Sequence, residues 1–356
     1  MRRITAKQLI PGMIVAEDIF SFSDQLLIPK GTVLTDSAIT ILEMYDIISI
    51  RVDDTPIADS TPDLTVPLSV RTKSSAEFKT FKKKYDLEVD RFKQSLSQAM
   101  EKKLPLDIDE LLDGTLDLLG NVHSFTGVVD ILQCMREYDD LTYAHSINVA
   151  FICNVAARWL NMPENDIRMA TSCGLFHDIG KVQIPKIILN KPSKLTIDEF
   201  AIIKKHPVTG YQLLREQSIN DHICNAALMH HERCDGTGYP FGIKDIQIDR
   251  FAKLVAIADV YDAMTAARVY RGPLCPFTVI DLFEKEGLQQ YDPRYIMTFL
   301  ENIVNTYVSN RCRLSNGQEG DIIYINKERL SRPMIQCGKE YINLSERTDL
   351  SIECLI

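Results

Sequence analysis

Between residues 121 and 310, apolar residues recur at spacings of three and four for most of the length, and this helical periodicity constrains the fold more than any other feature. Loops at Pro185–Ser193 and Cys234–Gly242 interrupt the pattern. A stretch of about 190 residues has a normal single-domain size. We therefore predict a mainly α protein with a helical bundle over residues 121–310.

The two ends of the chain show a different pattern. Residues 1–60 contain short apolar runs beside the turns Pro11-Gly12 and Pro29–Gly31, followed by a helix near Asp36–Tyr45. This pattern indicates a small α+β module for sensing or interaction, and it lacks the acidic cluster of a receiver domain. Residues 311–356 form short alternating runs separated by Asn-Gly and Cys-Gly turns, which predicts a small β-rich appendage.

Residues 61–120 lie between the N-terminal module and the bundle and combine a proline-containing linker with an amphipathic segment. From Ser74 to Lys103 the chain has no Pro or Gly, and large apolar residues recur every three or four positions. This spacing predicts one helix or a helix pair. Its apolar face would pack against the bundle or form a homodimer, and the sequence does not choose between them.

Composition limits the classes of function. A formal net charge of −9 argues against a polymeric nucleic-acid partner, because such binding depends on a basic surface. No apolar run has the length of a signal-peptide core or a membrane span, so we expect a cytoplasmic protein without membrane insertion. Nine cysteines without a C-x-x-C pair favour reduced core thiols over disulfides or a zinc ribbon.

Histidines are concentrated in the bundle. A single histidine on a helix is usually an ordinary core or surface residue, but several together with two carboxylates indicate a metal site. Of the seven histidines in the chain, five have contexts that suit metal ligands: His145, His177, His206, His230 and His231.

The densest polar element is His177-Asp178, which follows the apolar run Cys173–Phe176. Burying an imidazole and a carboxylate without partners is costly, and a metal ion would remove that cost. The carboxylate has two oxygens and can bridge two cations. Asp178 could instead cap the turn before Gly180, although this alternative leaves His177 unexplained.

A second element, His230–Pro240, begins with two adjacent histidines at the end of an apolar helix. Adjacent helical residues point about 100° apart, so both can serve one metal only at a helix end or with help from elsewhere. The segment then turns at Asp235-Gly236.

The two motifs, HDIGK at 177–181 and HHERCDGTGYP at 230–240, resemble the HD-GYP family, a branch of the HD-domain metal-dependent phosphohydrolases. The agreement extends to Thr142–Ser146, Lys204–Pro207 and Ala256–Met264. Cys234 departs from the bulky residue that is usual in the family. The resemblance implies an HD-type helical bundle.

The resemblance also implies a ligand set and two bound ions. Ligands of nitrogen and oxygen without sulfur fit Fe or Mn and do not exclude other metals. Asp178 would bridge the two ions. Leu141 stands where some relatives have the glutamate that holds a third ion, so we expect two. The implied ligands are His145, His177, Asp178, His206, His230, His231 and Asp259.

Further residues correspond to the family's substrate contacts. Lys181 would bind a substrate phosphate and stabilise the transition state, and Arg268 and Arg271 would contact the dinucleotide. Gly238, Tyr239 and Pro240 would form a loop at the rim of the active site, with Tyr239 contacting substrate and GGDEF-domain proteins as partners. Lys181 could instead be an ordinary exposed lysine at a helix end, and the two arginines could form surface salt bridges. The loop could be a turn that only closes the fold.

The implied activity is hydrolysis of cyclic di-GMP to pGpG by a two-metal-activated hydroxide, and whether pGpG is cut further to GMP stays open. Asp178 and Lys181 are the predicted catalytic residues. Two alternatives stay open: a non-catalytic cyclic di-GMP receptor, and a phosphohydrolase for another cyclic dinucleotide such as cyclic GMP-AMP.

Overall fold

The structure is a computed structural model, and it describes residues 2–5, 9, 12–20, 26–34, 38–39, 42, 47, 49–53, 76–102, 104–120, 128, 141–191, 193–266 and 272–356. The chain divides into two compact units, Thr72–Asn302 and the pair of segments Met1–Arg71 and Ile303–Ile356. Helices contain many more of the described residues than strands do, so the predicted mainly α fold is confirmed. The predicted domain bounds at 60, 120 and 310 stay predictions.

The unit Thr72–Asn302 is helical. Helices α4 and α9 each pack against α3, α8 and one another, and these four helices contain half of the buried residues of this unit. Short non-α turns follow α4, precede α9 and follow α10, at Ile179–Gln183, Asp245–Gln247 and Phe283–Gly287. The helices are α1 (Ala76–Lys102), α2 (Ile108–Gly120), α3 (Leu141–Trp159), α4 (Glu164–Phe176), α5 (Lys186–Leu189), α6 (Ile197–Ile203), α7 (His206–Glu216), α8 (Asp221–Met229), α9 (Arg250–Thr265), α10 (Pro276–Leu282), α11 (Leu288–Gln290) and α12 (Pro293–Asn305).

Local sequence determines where several of these helices begin. Thr196 caps α6 in a reciprocal arrangement with Glu199, in which each side chain accepts from the other residue's backbone N–H. Asn220 and Asp249 cap α8 and α9 by accepting from backbone N–H groups two residues later. The predicted loop Pro185–Ser193 differs in containing the single-turn helix α5.

The amphipathic segment is one helix, α1, and it packs against the bundle. Its Tyr85 hydroxyl lies 2.7 Å from Oδ1 of Asn148 in α3. The Phe92 ring contacts Phe176 at the end of α4, with 5.7 Å between ring centroids. The structure therefore answers the question that the sequence left open about this face. Its buried residues are Phe78, Phe81, Tyr85, Val89, Phe92 and Leu96.

The other unit contains the strands, all paired antiparallel. The N-terminal strands form two pairs, β1 with β4 and β2 with β3. Ala38, Ile39 and Leu42 are the described residues of the predicted helix, and they are helical. The C-terminal strands form one sheet in the order β8-β7-β6-β5-β9. The strands are β1 (Arg2–Thr5), β2 (Ile19–Phe20), β3 (Leu26–Ile28), β4 (Ser49–Val52), β5 (Arg311–Leu314), β6 (Glu319–Tyr324), β7 (Met334–Cys337), β8 (Glu340–Asn343) and β9 (Ile352–Leu355).

The predicted turns of the C-terminal sheet are also present. Gly317 and Gly338 have φ values of +84° and +61°, and they stand between β5 and β6 and between β7 and β8. The eight described cysteines are free thiols, as expected, and Cys134 lies outside the described residues. Among the described helices, none combines the length and apolarity needed to cross a bilayer.

Candidate metal centre

The seven predicted ligands come together in the unit Thr72–Asn302. Two of them lie within helices, in α3 and α9, and the other five stand at the ends of α4, α7 and α8. A helix end allows adjacent side chains to point into one space, which a helix interior does not. Six of the seven are buried and His231 is partly buried: His145, His177, Asp178, His206, His230, His231 and Asp259.

Hydrogen bonds to the backbone orient three of the imidazole rings. Nδ1 of His177 lies 2.7 Å from the carbonyl oxygen of Gly174, and Nδ1 of His206 lies 2.8 Å from that of Ile203. Nδ1 of His230 lies 3.0 and 3.1 Å from two carbonyl oxygens of α8. A carbonyl oxygen only accepts, so each Nδ1 carries the proton and donates it. Nε2 of each ring therefore presents a lone pair to the centre.

The Nε2 atoms face one another and Asp178 with no proton available for a hydrogen bond between them. Nε2 of His206 lies 3.2 Å from Nε2 of His230 and 3.2 Å from Oδ1 of Asp178. Nε2 of His177 and Oδ1 of Asp178 are buried and have no hydrogen-bond partner. Buried acceptors facing one another are unfavourable unless a cation lies among them. The residues present therefore fit a metal ion.

The ligand atoms form two sets, and within each set all atoms lie within 4.8 Å of one another. Asp178 lies between the sets, because its Oδ1 faces His206 and its Oδ2 lies 3.4 Å from Nε2 of His177. The bridging role that the resemblance implies for Asp178 stays a prediction. One set comprises Asp178, His206, His230 and His231, and the other comprises His145, His177 and Asp259.

His145 depends on a residue to which the sequence analysis assigned no role. Its Nδ1 lies 2.7 Å from Oδ2 of Asp262, which is 2% exposed, and its Nε2 lies 3.0 Å from Oδ1 of Asp259. Asp262 follows Asp259 by three residues in α9, so the two carboxylates share one helix face. That spacing is the signal that could have identified Asp262.

The pKa values of His230 and His231, at the end of α8, are shifted in the opposite direction from that of His145. Burial lowers the pKa of His230 well below its usual value, and burial lowers that of His231 to about 3. Burial also acts to lower the pKa of His145, but its hydrogen bonds to Asp259 and Asp262 outweigh burial and raise the pKa to about 9. Neutral His230 and His231 are ready to act as ligands without losing a proton.

The carboxylates of the centre are ionised. Burial opposes the ionisation of Asp178, but the Lys181 ammonium and, to a smaller extent, the His177 ring hold its pKa well below the usual range. Burial likewise opposes the ionisation of Asp259, and the hydrogen bond from His145 outweighs it and lowers the pKa. Both residues therefore present negative oxygens to the centre.

The turn after Asp178 brings Lys181 back to the centre. The Lys181 ammonium lies 2.5 Å from Oδ2 of Asp178, and its side chain is 20% exposed. Asp178 makes no side-chain cap of this turn, which removes the capping alternative. A Cβ atom on Gly180 would lie 2.0 Å from the carbonyl oxygen of His206, so only glycine allows the turn to approach α7 so closely.

The loop 236–243 lies beside the centre. The Tyr239 ring stacks on His231 with 4.6 Å between centroids. Glu232 is 2% exposed and accepts from the backbone N–H groups of Phe241 at 2.7 Å and Ile243 at 3.2 Å. Glu232 directly follows the paired histidines, and that position is the one signal in the sequence that could have indicated this role. Gly238 is required here, because a Cβ atom would lie 2.4 Å from Cα of Glu232.

Some predicted residues cannot be placed at the centre. Arg268 and Arg271 lie outside the described residues, as does the side chain of Leu141, whose backbone begins α3. Cys234, the departure from the family pattern, is partly buried and donates its backbone N–H to the carbonyl oxygen of Gln290 at 2.8 Å. Pro240 follows Tyr239 through a cis peptide bond.

Comparison with known proteins gives one family and several relatives. Residues 132–295 match the HD domain family, which confirms the predicted resemblance. The chain is 35% identical over 204 residues to the cyclic di-GMP phosphodiesterase PA4108 of Pseudomonas aeruginosa, covering 57% of this chain and 49% of the relative. It is 37% identical over 145 residues to 3'3'-cGAMP-specific phosphodiesterase 1 of Vibrio cholerae, covering 41% and 34%. The chain thus spans about half or less of the length of these curated relatives.

A solved structure supports the fold. The chain is similar to Bd1817, a HDG"Y"P protein from Bdellovibrio bacteriovorus, with a TM-score of 0.51 and 14% sequence identity. The similarity covers 85% of this chain and 99% of that one. It confirms the predicted HD-type bundle and carries no statement about activity.

Proposed function

We propose that this chain, whose residues 132–295 match the HD domain family, is a metal-dependent phosphodiesterase that hydrolyses cyclic di-GMP to pGpG. The observation that carries the proposal is the convergence of unprotonated imidazole nitrogens and ionised carboxylate oxygens in a buried space. Several curated relatives are named as cyclic di-GMP phosphodiesterases.

The proposed cofactor is two divalent ions, Fe or Mn, held by the two ligand sets with Asp178 shared between them. The support is the ligand chemistry, which consists of imidazole nitrogens and carboxylate oxygens without thiolates. When bound, such ions supply an activated water as nucleophile and neutralise negative charge on the phosphate.

The chain's own residues would orient the substrate. Lys181 donates to Asp178 and remains partly exposed, so its ammonium is available to a phosphate oxygen at the edge of the centre. Tyr239, stacked on His231, and the backbone held by Glu232 would form the wall beside that phosphate. Arg268 and Arg271 stay predicted contacts to the dinucleotide.

A second candidate substrate is 3'3'-cGAMP. Relatives specific for this dinucleotide have sequence identities to the chain similar to those of the cyclic di-GMP phosphodiesterases, 37% for one and 35% for PA4108. Both substrates contain two phosphodiester bonds, so the metal centre by itself does not separate them. A non-catalytic receptor is the further alternative.

The decisive experiment is turnover by protein purified without oxygen and loaded with Fe(II) or Mn(II). We expect cyclic di-GMP to be converted to pGpG with about two metals per chain, and we expect Asp178→Ala to lose both activity and metal. A panel containing 3'3'-cGAMP separates the two substrates. Full metal loading without turnover of either dinucleotide would contradict the proposal and favour a receptor.

We also propose four properties that the sequence suggests. These are a cytoplasmic location, GGDEF-domain proteins as partners, homodimerisation, and a sensory or interaction role for residues 1–60. Co-purification would test the GGDEF-domain partners, and the mass of the protein in solution would test dimerisation.

A further inference from the structure

We propose that Lys204 is a substrate-binding residue that contacts the second phosphate of a cyclic dinucleotide, the one that does not lie at the metals. This inference rests on the proposed function and adds a residue to it. Lys204 follows the last residue of α6 and stands in the short connection before His206, the first residue of α7.

Two aromatic rings hold the Lys204 ammonium. Its Nζ lies 4.7 Å from the centroid of the Tyr239 ring and 5.2 Å from that of the Phe200 ring. Contacts of an ammonium with aromatic faces at this range are attractive, and two together restrict a side chain that is otherwise flexible. The charge is therefore positioned, although Lys204 is exposed.

The same tyrosine connects this charge to the metal centre. The Tyr239 ring stacks on His231, with 4.6 Å between centroids and 25° between planes. His231 is one of the ligand residues grouped with Asp178. The ammonium of Lys204 thus lies one aromatic ring away from the ligand set, on the side of the loop 236–243.

Lys204 has no carboxylate neutralising it among the residues that the structure describes. Two other lysines have a carboxylate partner: Lys181 lies 2.5 Å from Asp178, and Lys191 lies 2.6 Å from Glu199. An unpaired cation beside a metal centre is available to an anion from solution. Phe200 is 45% exposed, so the site around the ammonium is open to a ligand.

The chemistry of the substrate supplies the anion. A cyclic dinucleotide has two phosphodiester groups, each with one negative charge. When one group lies at the metals beside Lys181, the other still carries its charge, and the chain as a whole is acidic, with a net charge of −9. A positioned cation such as Lys204 offsets that charge without taking part in bond cleavage.

The test compares Lys204→Met with Lys205→Met in metal-loaded protein. Methionine keeps an unbranched apolar side chain and removes the charge, and the exposed neighbour Lys205 controls for the loss of one positive charge. For cyclic di-GMP we expect KM to rise about tenfold in Lys204→Met, with kcat unchanged. Lys205→Met should match the wild type, and Lys204→Arg should restore most of the affinity.

Bis(p-nitrophenyl) phosphate is the discriminating substrate because it has a single phosphodiester group. Its kcat/KM should be the same in Lys204→Met as in the wild type. An unchanged KM for cyclic di-GMP, or an equal loss with both substrates, would overturn the role of Lys204. A loss of equal size in Lys205→Met would also overturn it.

Direct binding separates this inference from the proposed function. The Kd of cyclic di-GMP for the metal-loaded protein is measured by calorimetry, without reference to turnover. A wild type that binds but does not hydrolyse contradicts the proposed activity, while a weaker Kd in Lys204→Met still supports the contact. A wild type that neither binds nor hydrolyses overturns both.

Discussion

Asp262 offers the sharpest test of the geometry of the metal centre, because its predicted effect passes entirely through His145. Its Oδ2 lies 2.7 Å from Nδ1 of His145, and both side chains are buried. A carboxylate at Nδ1 can only accept, so it holds a proton there, and Nε2 is the nitrogen that would give up its proton to become a metal ligand. Nε2 in turn lies 3.0 Å from Oδ1 of Asp259.

Replacing Asp262 with alanine leaves a buried N–H without an acceptor, which costs about 1–3 kcal/mol. The imidazole can avoid that cost by moving its proton to Nε2, where the proton competes with a metal ion. Loss of such an outer partner weakens metal binding by about 10- to 100-fold. Asparagine keeps an acceptor oxygen but not the charge. We therefore expect metal affinity to fall by about 10-fold in Asp262→Asn and by about 100-fold in Asp262→Ala.

The assay is competition for Fe(II) or Mn(II) against a chelator of known affinity, followed by activity at saturating metal. The chain contains a matched control in the pair His222 and Asp249, also 2.7 Å apart between Nδ1 and Oδ2. Asp249→Asn keeps the cap of α9 and should leave metal affinity unchanged. Wild-type metal affinity in both Asp262 variants would refute the idea that this carboxylate orients His145.

Three further predictions concern the loop, the pH dependence and the packing of α1. Gly238→Ala places a Cβ atom 2.4 Å from Cα of Glu232, so we expect lower activity with unchanged metal content, measured by turnover and metal counting; unchanged turnover would contradict this. The lowered pKa values of His230 and His231 keep both rings neutral in the fold, whereas in the unfolded chain they take up protons below about pH 6.5. The unfolding free energy of the metal-free protein is therefore highest above that pH and decreases as the pH falls, with a slope that approaches about 1.4 kcal/mol per pH unit for each ring. A melting temperature that does not change between pH 6.5 and 5 would contradict this prediction. Tyr85→Phe removes the buried hydroxyl contact between α1 and α3 and should lower the unfolding free energy by about 1–3 kcal/mol in denaturant titrations, with an unchanged midpoint as the contrary result.

The sequence by itself determined the features that depend on local pattern. Helical periodicity predicted the bundle, and the motifs at 177–181 and 230–240 contain candidate ligand residues that the structure brings together. The predicted Asn-Gly and Cys-Gly turns are present, and their glycines, Gly317 and Gly338, have positive φ. Each of these signals is contained in a few neighbouring residues, because periodicity and turn chemistry are properties of short segments.

Only the tertiary structure decided the relations between distant segments. Asp262 and His145 are 117 positions apart, and their hydrogen bond exists because α9 packs against α3. Packing likewise determines three further contacts. Helix α1 lies against the bundle, Glu232 accepts hydrogen bonds from the loop, and the Lys204 ammonium lies over the Tyr239 ring. A short motif states which side chains are present. The direction in which each one points, and what it meets there, depends on how helices that are far apart in the chain pack around the buried centre.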